Sequence, residues 1–125
     1  MKTTAILTSM RLVTINQSKS GYETQLELVS FRRNEMKSIF RIYGQMVAQG
    51  RWKDYGISCM RDQAIFSIFR RTAEHPLYMI IKCPSLARKK GIYSIIGMDG
   101  QILKRGQNLD IVLIFFKKKL LRCLS

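Results

Sequence analysis

The spacing of apolar residues changes from a helical period to a strand period close to Trp52. Upstream of that residue, six apolar residues have the i, i+3, i+4, i+7 spacing of one helix face: Met36, Ile39, Phe40, Tyr43, Met46 and Val47. Gly50 follows at the position where a left-handed residue commonly ends a helix. The pattern therefore predicts a helix over residues 36–47.

Downstream of Trp52, apolar and polar residues alternate, which is the period of a half-buried strand. Strands are predicted at Tyr55–Met60, Ala64–Arg71, Leu77–Cys83 and Ile92–Gly97, with a shorter one at Gln101–Lys104. Short connections join these segments, and they make antiparallel neighbours because a parallel pair needs a long crossover. The Asp99-Gly100 pair is a typical hairpin turn. This half of the chain is predicted to be an antiparallel β-meander.

Two further elements are predicted, one on each side of the segments above. Asn108 is a typical N-cap for a helix over residues 109–123. The β-branched residues of this segment also favour strands, so a strand is the alternative there. Residues 22–31 alternate from Gln25 onward and predict a first strand. Residues 1–20 lack periodicity and are interpreted as a mobile arm. The expected fold is one α+β domain over residues 21–125, with both helices on one face of the sheet.

Several segments together resemble one known family. The segment Ile42–Tyr55 is similar to that family's signature YGxxVAxGxWRDYA. Further similar segments are Ala64–Arg71, Pro76–Tyr78, Gly91–Ser94 and Gly100–Gly106. On these motifs, residues 31 to about 116 resemble the domain-of-unknown-function family numbered 2794. The resemblance implies a compact cytoplasmic domain from bacteria, typically alphaproteobacteria, and it implies no mechanism.

The chain is strongly basic, with 22 Lys and Arg against 8 Asp and Glu and a formal net charge of +14. Successive links of a meander alternate between the two ends of its sheet, so several basic segments are expected at one end and Arg70-Arg71 at the other. Such a cluster fits a phosphate backbone, although a solubilising surface explains the same residues. The predicted nucleic-acid-binding residues are Arg61, Arg88, Lys89, Lys90, Lys104 and Arg105.

The residues that most enzymes and metal sites require are scarce. Three widely spaced cysteines form neither a disulfide framework nor a metal-binding pair, and a zinc site needs more than the single His75. His75 also lies in a short polar loop, and the carboxylates lie at strand and helix ends, where turns and caps explain them. No phosphate-binding glycine motif occurs. We therefore predict no catalytic residue, no metal and no cofactor.

The longest apolar run, Ile111–Phe116, has two interpretations. It is far too short to cross a bilayer, which takes about 20 residues, and no signal peptide is recognisable, so a soluble cytoplasmic protein is expected. The predicted last helix is apolar almost all round, which indicates deep burial or a partner, including a second copy. The partner residues would be Ile111, Phe115, Phe116 and Leu120. A protein-interaction or assembly module is thus the alternative to nucleic-acid binding.

Overall fold

The computed structural model describes residues 27–71 and 75–124, with side chains as far as Leu121. Its helices are α1 (Arg33–Ala48) and α2 (Leu109–Leu124). Its strands are β1 (Asp54–Cys59), β2 (Ala64–Phe69), β3 (Tyr78–Lys82), β4 (Tyr93–Gly97) and β5 (Ile102–Gly106). The strands pair in chain order, each antiparallel to the next, in one five-stranded sheet. The predicted α+β fold and its antiparallel meander are confirmed.

One face of the sheet and the two helices form the core. The strands contribute Phe66, Ile68, Ile80 and Ile95, and the helices contribute Ile39, Ile42, Met46, Val112, Leu113 and Phe116. Burying side chains of this size stabilises the fold by about 1.5–3 kcal/mol each. Because both helices join the same cluster, they cover one face of the sheet, as the sequence predicts.

The helix boundaries follow from the residues that the sequence indicates. Gly50 has φ +73, and its amide donates to the Val47 carbonyl at 2.9 Å. This left-handed residue stops α1 after Ala48. At the start of α2, the Asn108 side-chain oxygen accepts a hydrogen bond from the Ile111 amide at 3.2 Å, as an N-cap does.

The predicted arm over residues 1–20 and the first part of the predicted first strand lie outside the described residues. The described part, residues 27–31, forms no strand and passes along one end of the sheet. The Val29 amide donates to the Met60 carbonyl at 2.7 Å, and the Ser30 carbonyl accepts from Lys82 Nζ at 2.9 Å. Phe31 then packs against the helix-side core.

Both helices begin at the same end of the sheet, which we call the helix-start end. It contains the β1–β2 turn (60–63), the β3–β4 loop (83–92) and the exit from β5 (106–108). The opposite, helix-finish end contains the described residues of the β2–β3 connection (70–71 and 75–77) and the β4–β5 turn (98–101). Cross-strand partners run in a line along the helix-start end, from Ala64 through Lys82 and Tyr93 to Gly106.

Candidate functional site

The six predicted basic residues all belong to segments of the helix-start end or to the strand that leads into it. Arg61 lies exposed in the β1–β2 turn, and the β3–β4 loop carries Arg88, Lys89 and Lys90, also exposed. On β5, Lys104 is exposed and Arg105 is half-buried. The meander therefore brings these segments to one end of the sheet, as the connection lengths predict.

The β3–β4 loop is a compact turn that holds its three cations in a defined conformation. It begins with a single 3₁₀ turn at Pro84–Leu86. The Leu86 carbonyl then accepts the amides of Lys89, Lys90 and Gly91 at 3.1, 3.1 and 3.0 Å. Because the backbone bonds to itself here, the basic side chains project from a fixed base.

Two contacts attach this loop to the exit from β5. Gly91 has φ +105, and a Cβ placed on it would lie 2.6–2.8 Å from the backbone of Gly106. Only glycine allows so close an approach of two backbones. In addition, the Gln107 side-chain amide donates to the Ala87 carbonyl. The loop cations are therefore fixed next to the chain segment that carries Arg105.

Arg105 has an unusual environment for a surface arginine. It lies opposite Ser94 in the β4–β5 ladder, and its Nε is buried with no hydrogen-bond partner among the described residues. A buried donor without a partner costs about 1–3 kcal/mol. An anion bound by this guanidinium would relieve part of that cost.

The other two cations are less closely associated with the loop. Lys104 pairs with Ile95, two residues before Gly106 on the edge strand. Arg61 follows β1, and three strand spacings of about 4.8 Å separate β2 from β5. Arg61 therefore lies apart from the loop cations, so the predicted set is one broad surface.

The structure also reveals a polar network at this end that the sequence does not predict. Glu35, in the first turn of α1, is only 8% exposed. Its Oε1 accepts hydrogen bonds from Lys82 Nζ at 2.9 Å and from the Arg32 amide at 2.5 Å. Its Oε2 accepts a hydrogen bond from the Tyr93 hydroxyl. One carboxylate thus joins the start of α1 to β3 and β4.

These contacts fix the protonation states of the network. Burial raises the pKa of Glu35, but hydrogen bonds from Tyr93, the Arg32 amide and Lys82 outweigh it, so that the pKa lies below its ordinary value. Burial, together with the Glu35 hydrogen bond and charge, raises the pKa of Tyr93 to about 12. Near neutral pH, Glu35 is a carboxylate and Tyr93 a phenol, and neither is poised for proton transfer.

A polar depression of about 260 Å³ opens between the beginnings of the two helices, next to this network. Its walls include Glu35, Tyr93, Arg32, Asp110 and Gln107, the residue that also bonds the β3–β4 loop. Charges of both signs line it, so it does not select an anion by charge alone.

The sequence does carry one signal for this network. The acidic residue Glu35, directly before the apolar helix stripe that begins at Met36, indicates a first-turn carboxylate. Its partners Lys82 and Tyr93 come from separate strands, and only the sheet register brings them together. The spacing of apolar residues in a single sequence does not predict that strand register.

The last helix corrects the predicted set of partner residues. Phe116 is completely buried in the core, so it cannot contact a partner, while Phe115 and Leu120 are partly buried against that core. Ile111 is 56% exposed, as a partner residue should be. The helix leaves Ile114 and Leu121 exposed as well, on the same outer side as Ile111.

Residues 27–71 and 75–124 contain no group of three His, Cys, Asp or Glu side chains that could hold a metal ion. None of the helices described there is long and apolar enough to cross a membrane.

Comparison with known proteins gives one match. The family model described as "Protein of unknown function (DUF2794)" matches residues 29–113. No curated protein and no solved structure matches the chain.

Proposed function

We propose a function from the geometry of this chain, because it belongs to the DUF2794 family, which is described as a protein of unknown function. The proposed function is non-enzymatic binding of nucleic acid through the phosphate backbone, in the cytoplasm of a bacterium. The observation that carries the proposal is the attachment of the β3–β4 loop to β5 by the Gly91–Gly106 and Gln107–Ala87 contacts. This attachment holds Arg88, Lys89, Lys90 and Arg105 on one rigid base.

The charge of this base is not neutralised by any acidic side chain of the described residues. None of the four cations has an acidic partner among the described residues, whereas Lys82 close by is paired with Glu35 at 2.9 Å. Cations without partners gain most from a polyanion, because binding releases the counterions condensed on the phosphates.

The same geometry favours low sequence specificity. The four cations come from a loop and a strand, and the helices spend their apolar sides on the core. None of the four cations lies on a helix, so this surface does not place a recognition helix in the major groove, where base edges are read. Contacts to phosphates position a protein on nucleic acid but do not read its sequence.

The test is fluorescence anisotropy with a labelled duplex and a labelled single strand at several salt concentrations. The wild-type affinity should fall steeply with salt, with a log–log slope of about 0.9 per phosphate on duplex DNA and about 0.7 on a single strand. Changing Arg88, Lys89 and Lys90 together to Ala should reduce that slope by about two to three units. Thermal stability should change little, because all three side chains are exposed.

The matched control changes Arg70 and Arg71, which are exposed at the helix-finish end, to Ala. It should leave the salt slope nearly unchanged. Equal losses in the two variants would mean that the charge acts as a diffuse field with no site. Absence of wild-type binding even at low salt would refute the nucleic-acid function.

A second function, self-association or binding of a protein partner, is favoured by the outer side of α2. Ile111 and Leu121 are 56% and 64% exposed, and Ile114 lies between them on the same side. An exposed apolar stripe on a helix often docks another protein. Sedimentation of wild type and Ile111→Asp tests the self-association branch: a wild-type dimer that becomes monomeric in the variant would support it.

A further inference from the structure

We infer, on the basis of the proposed function, that the polar depression between the beginnings of the two helices receives one ribose of an RNA strand. Asp110 accepts a hydrogen bond from the 2′-hydroxyl of that ribose. Of the nine residues of the described chain that line the depression, eight carry a polar side chain and Leu109 is the exception. Pockets for drug-sized ligands are mostly apolar and measure about 300–1,000 Å³. A polar depression of about 260 Å³ therefore suits a small group rich in polar atoms, as a sugar is.

The depression adjoins the basic β3–β4 loop. Gln107 lines the depression, and its side-chain amide donates a hydrogen bond to the Ala87 carbonyl. Arg88 follows Ala87 directly and begins the run of three loop cations. Because every phosphate of a nucleic acid is bonded to a sugar, a strand whose phosphates contact this loop brings a sugar to the mouth of the depression.

Asp110 is the carboxylate of the depression that is available to a ligand. It is exposed, and its side chain makes no hydrogen bond or ion pair with another described residue. Burial and Glu35 raise the pKa of Tyr93 most, and the negative charge of Asp110 raises it further, so the Asp110 carboxylate lies near that hydroxyl. Glu35, in contrast, already accepts hydrogen bonds from Lys82, the Arg32 amide and Tyr93.

A free carboxylate beside bound phosphates distinguishes RNA from DNA. An ionised carboxylate accepts hydrogen bonds, donates none and repels phosphates. Deoxyribose has no 2′-hydroxyl to offset that repulsion. The 2′-hydroxyl of RNA is both a donor and an acceptor. It can donate to Asp110 and accept from the side-chain amide of Asn34, which lines the same depression. RNA should therefore bind more tightly than DNA.

Fluorescence anisotropy with three labelled single strands of one base sequence tests the inference. The strands are RNA, DNA with deoxyuridine in place of thymidine, and 2′-O-methyl RNA. The wild type should bind RNA about tenfold more tightly than DNA, because hydrogen bonds to ionised groups are among the stronger ones. The 2′-O-methyl strand keeps the oxygen but has no proton to donate, so it should bind as weakly as DNA. This comparison needs no variant of the protein.

Asp110→Ala removes the acceptor and should bring the ratio of RNA to DNA affinity to about one. The matched control is Asp62→Ala, which removes the same charge from an exposed position in the β1–β2 turn at the same end of the sheet. It should keep the tenfold ratio. Thermal melting shows that both variants are folded at the temperature of the binding measurement.

Equal wild-type affinities for RNA and DNA overturn the inference and leave the proposed function intact. A preference for RNA that survives Asp110→Ala, or that 2′-O-methyl RNA shares, also overturns it, because the two nucleic acids would then be distinguished elsewhere. Absence of binding to all three strands at low salt refutes the proposed function and the inference with it.

Discussion

The two ends of the sheet are held together by different kinds of contact. At the helix-start end, Glu35 joins Tyr93 and Lys82 through directional polar bonds. At the helix-finish end, aromatic rings join the helix to the sheet. The ring centroid of Phe116 lies 4.9 Å from that of Trp52 and 5.0 Å from that of Tyr78. Trp52 is only 4% exposed and belongs to the core cluster between the helices and the sheet.

Positive charge does not distinguish the two ends. The helix-finish end carries exposed Arg70 and Arg71, and the last turns of α2 carry Lys117, Lys118 and Lys119. Lys119 lies 5.2 Å from the Phe115 ring centroid, in a cation–π contact. The two ends differ in the contacts that hold their cations in place. Polar bonds at the helix-start end fix the direction of the β3–β4 loop, while the aromatic packing at the helix-finish end contributes mainly to stability. Net charge alone therefore cannot locate a binding site in this protein.

The largest effect is expected at the aromatic end. Phe116→Ala removes a ring that contacts both Trp52 and Tyr78, and the free energy of unfolding should fall by about 3–5 kcal/mol. Urea denaturation measures the change. Ile111→Ala, on the exposed side of the same helix, should cost no more than about 0.5 kcal/mol. Equal costs would contradict the assignment of Phe116 to the core.

Gly91 at the helix-start end and Gly100 at the helix-finish end allow a more direct comparison, because both have a positive φ. Gly91→Ala should cost about 2–4 kcal/mol, since the new Cβ meets the Gly106 backbone at 2.6–2.8 Å in addition to the strain at φ +105. Gly100→Ala, in the β4–β5 turn at φ +86, has open space and should cost only about 1 kcal/mol. Thermal unfolding of both variants checks the difference.

Gly91→Ala should also weaken nucleic-acid binding while Gly100→Ala leaves it unchanged, because only Gly91 attaches the basic loop to β5. The comparison is made below the melting temperature of both variants. If Gly91→Ala is destabilised as expected but binds normally, the attachment of the loop is not what positions the cations.

The sequence predicts most of this architecture, and the reasons are local. The helix stripe from Met36 to Val47, the five alternating segments and the Asn108 cap each depend on neighbouring residues, and each appears in the structure. The observed strands differ from the predicted ones by one or two residues at most ends. The sequence also predicts that the six cations lie towards one end of the sheet, because the connection lengths determine the direction of each strand.

The remaining features depend on contacts between distant segments. Glu35 meets Lys82 and Tyr93 across separations of 47 and 58 residues. The approach of Gly91 to Gly106 likewise needs the β4–β5 register. The burial of Phe116 and the exposure of Ile111 depend on the angle at which α2 lies on the sheet. A helix that is apolar almost all round does not specify that angle.

A smaller effect is expected from the polar network. Glu35→Gln removes the charge that pairs with Lys82 but keeps the shape of the side chain, so the free energy of unfolding should fall by about 1–3 kcal/mol at neutral pH. Urea denaturation is again the measurement. Glu27, which is exposed, supplies the control, and Glu27→Gln should change stability by less than about 0.5 kcal/mol. Equal stabilities for Glu35→Gln and wild type would mean that the network does not hold α1 to the sheet.

The smallest effect is the pH dependence of that network, and its two members act at opposite ends of the pH scale. The pKa of Glu35 is lowered on folding, so its contribution is complete above its ordinary value of 4.5 and is lost as the pH falls below it. The pKa of Tyr93 is raised from 10.0 to about 12, so its contribution is complete below pH 10 and is lost as the pH rises towards 12. Tyr93→Phe should cost about 1 kcal/mol near neutral pH. The gap from wild type should close as the pH rises towards 12, and it should also narrow on the acid side, because the Tyr93 hydrogen bond is one cause of the lowered pKa of Glu35. For Glu35→Gln, the gap should close on the acid side. Urea denaturation across the pH range gives both difference curves, and a gap that stays constant at either extreme would show that the corresponding group titrates alike in the folded and unfolded chain.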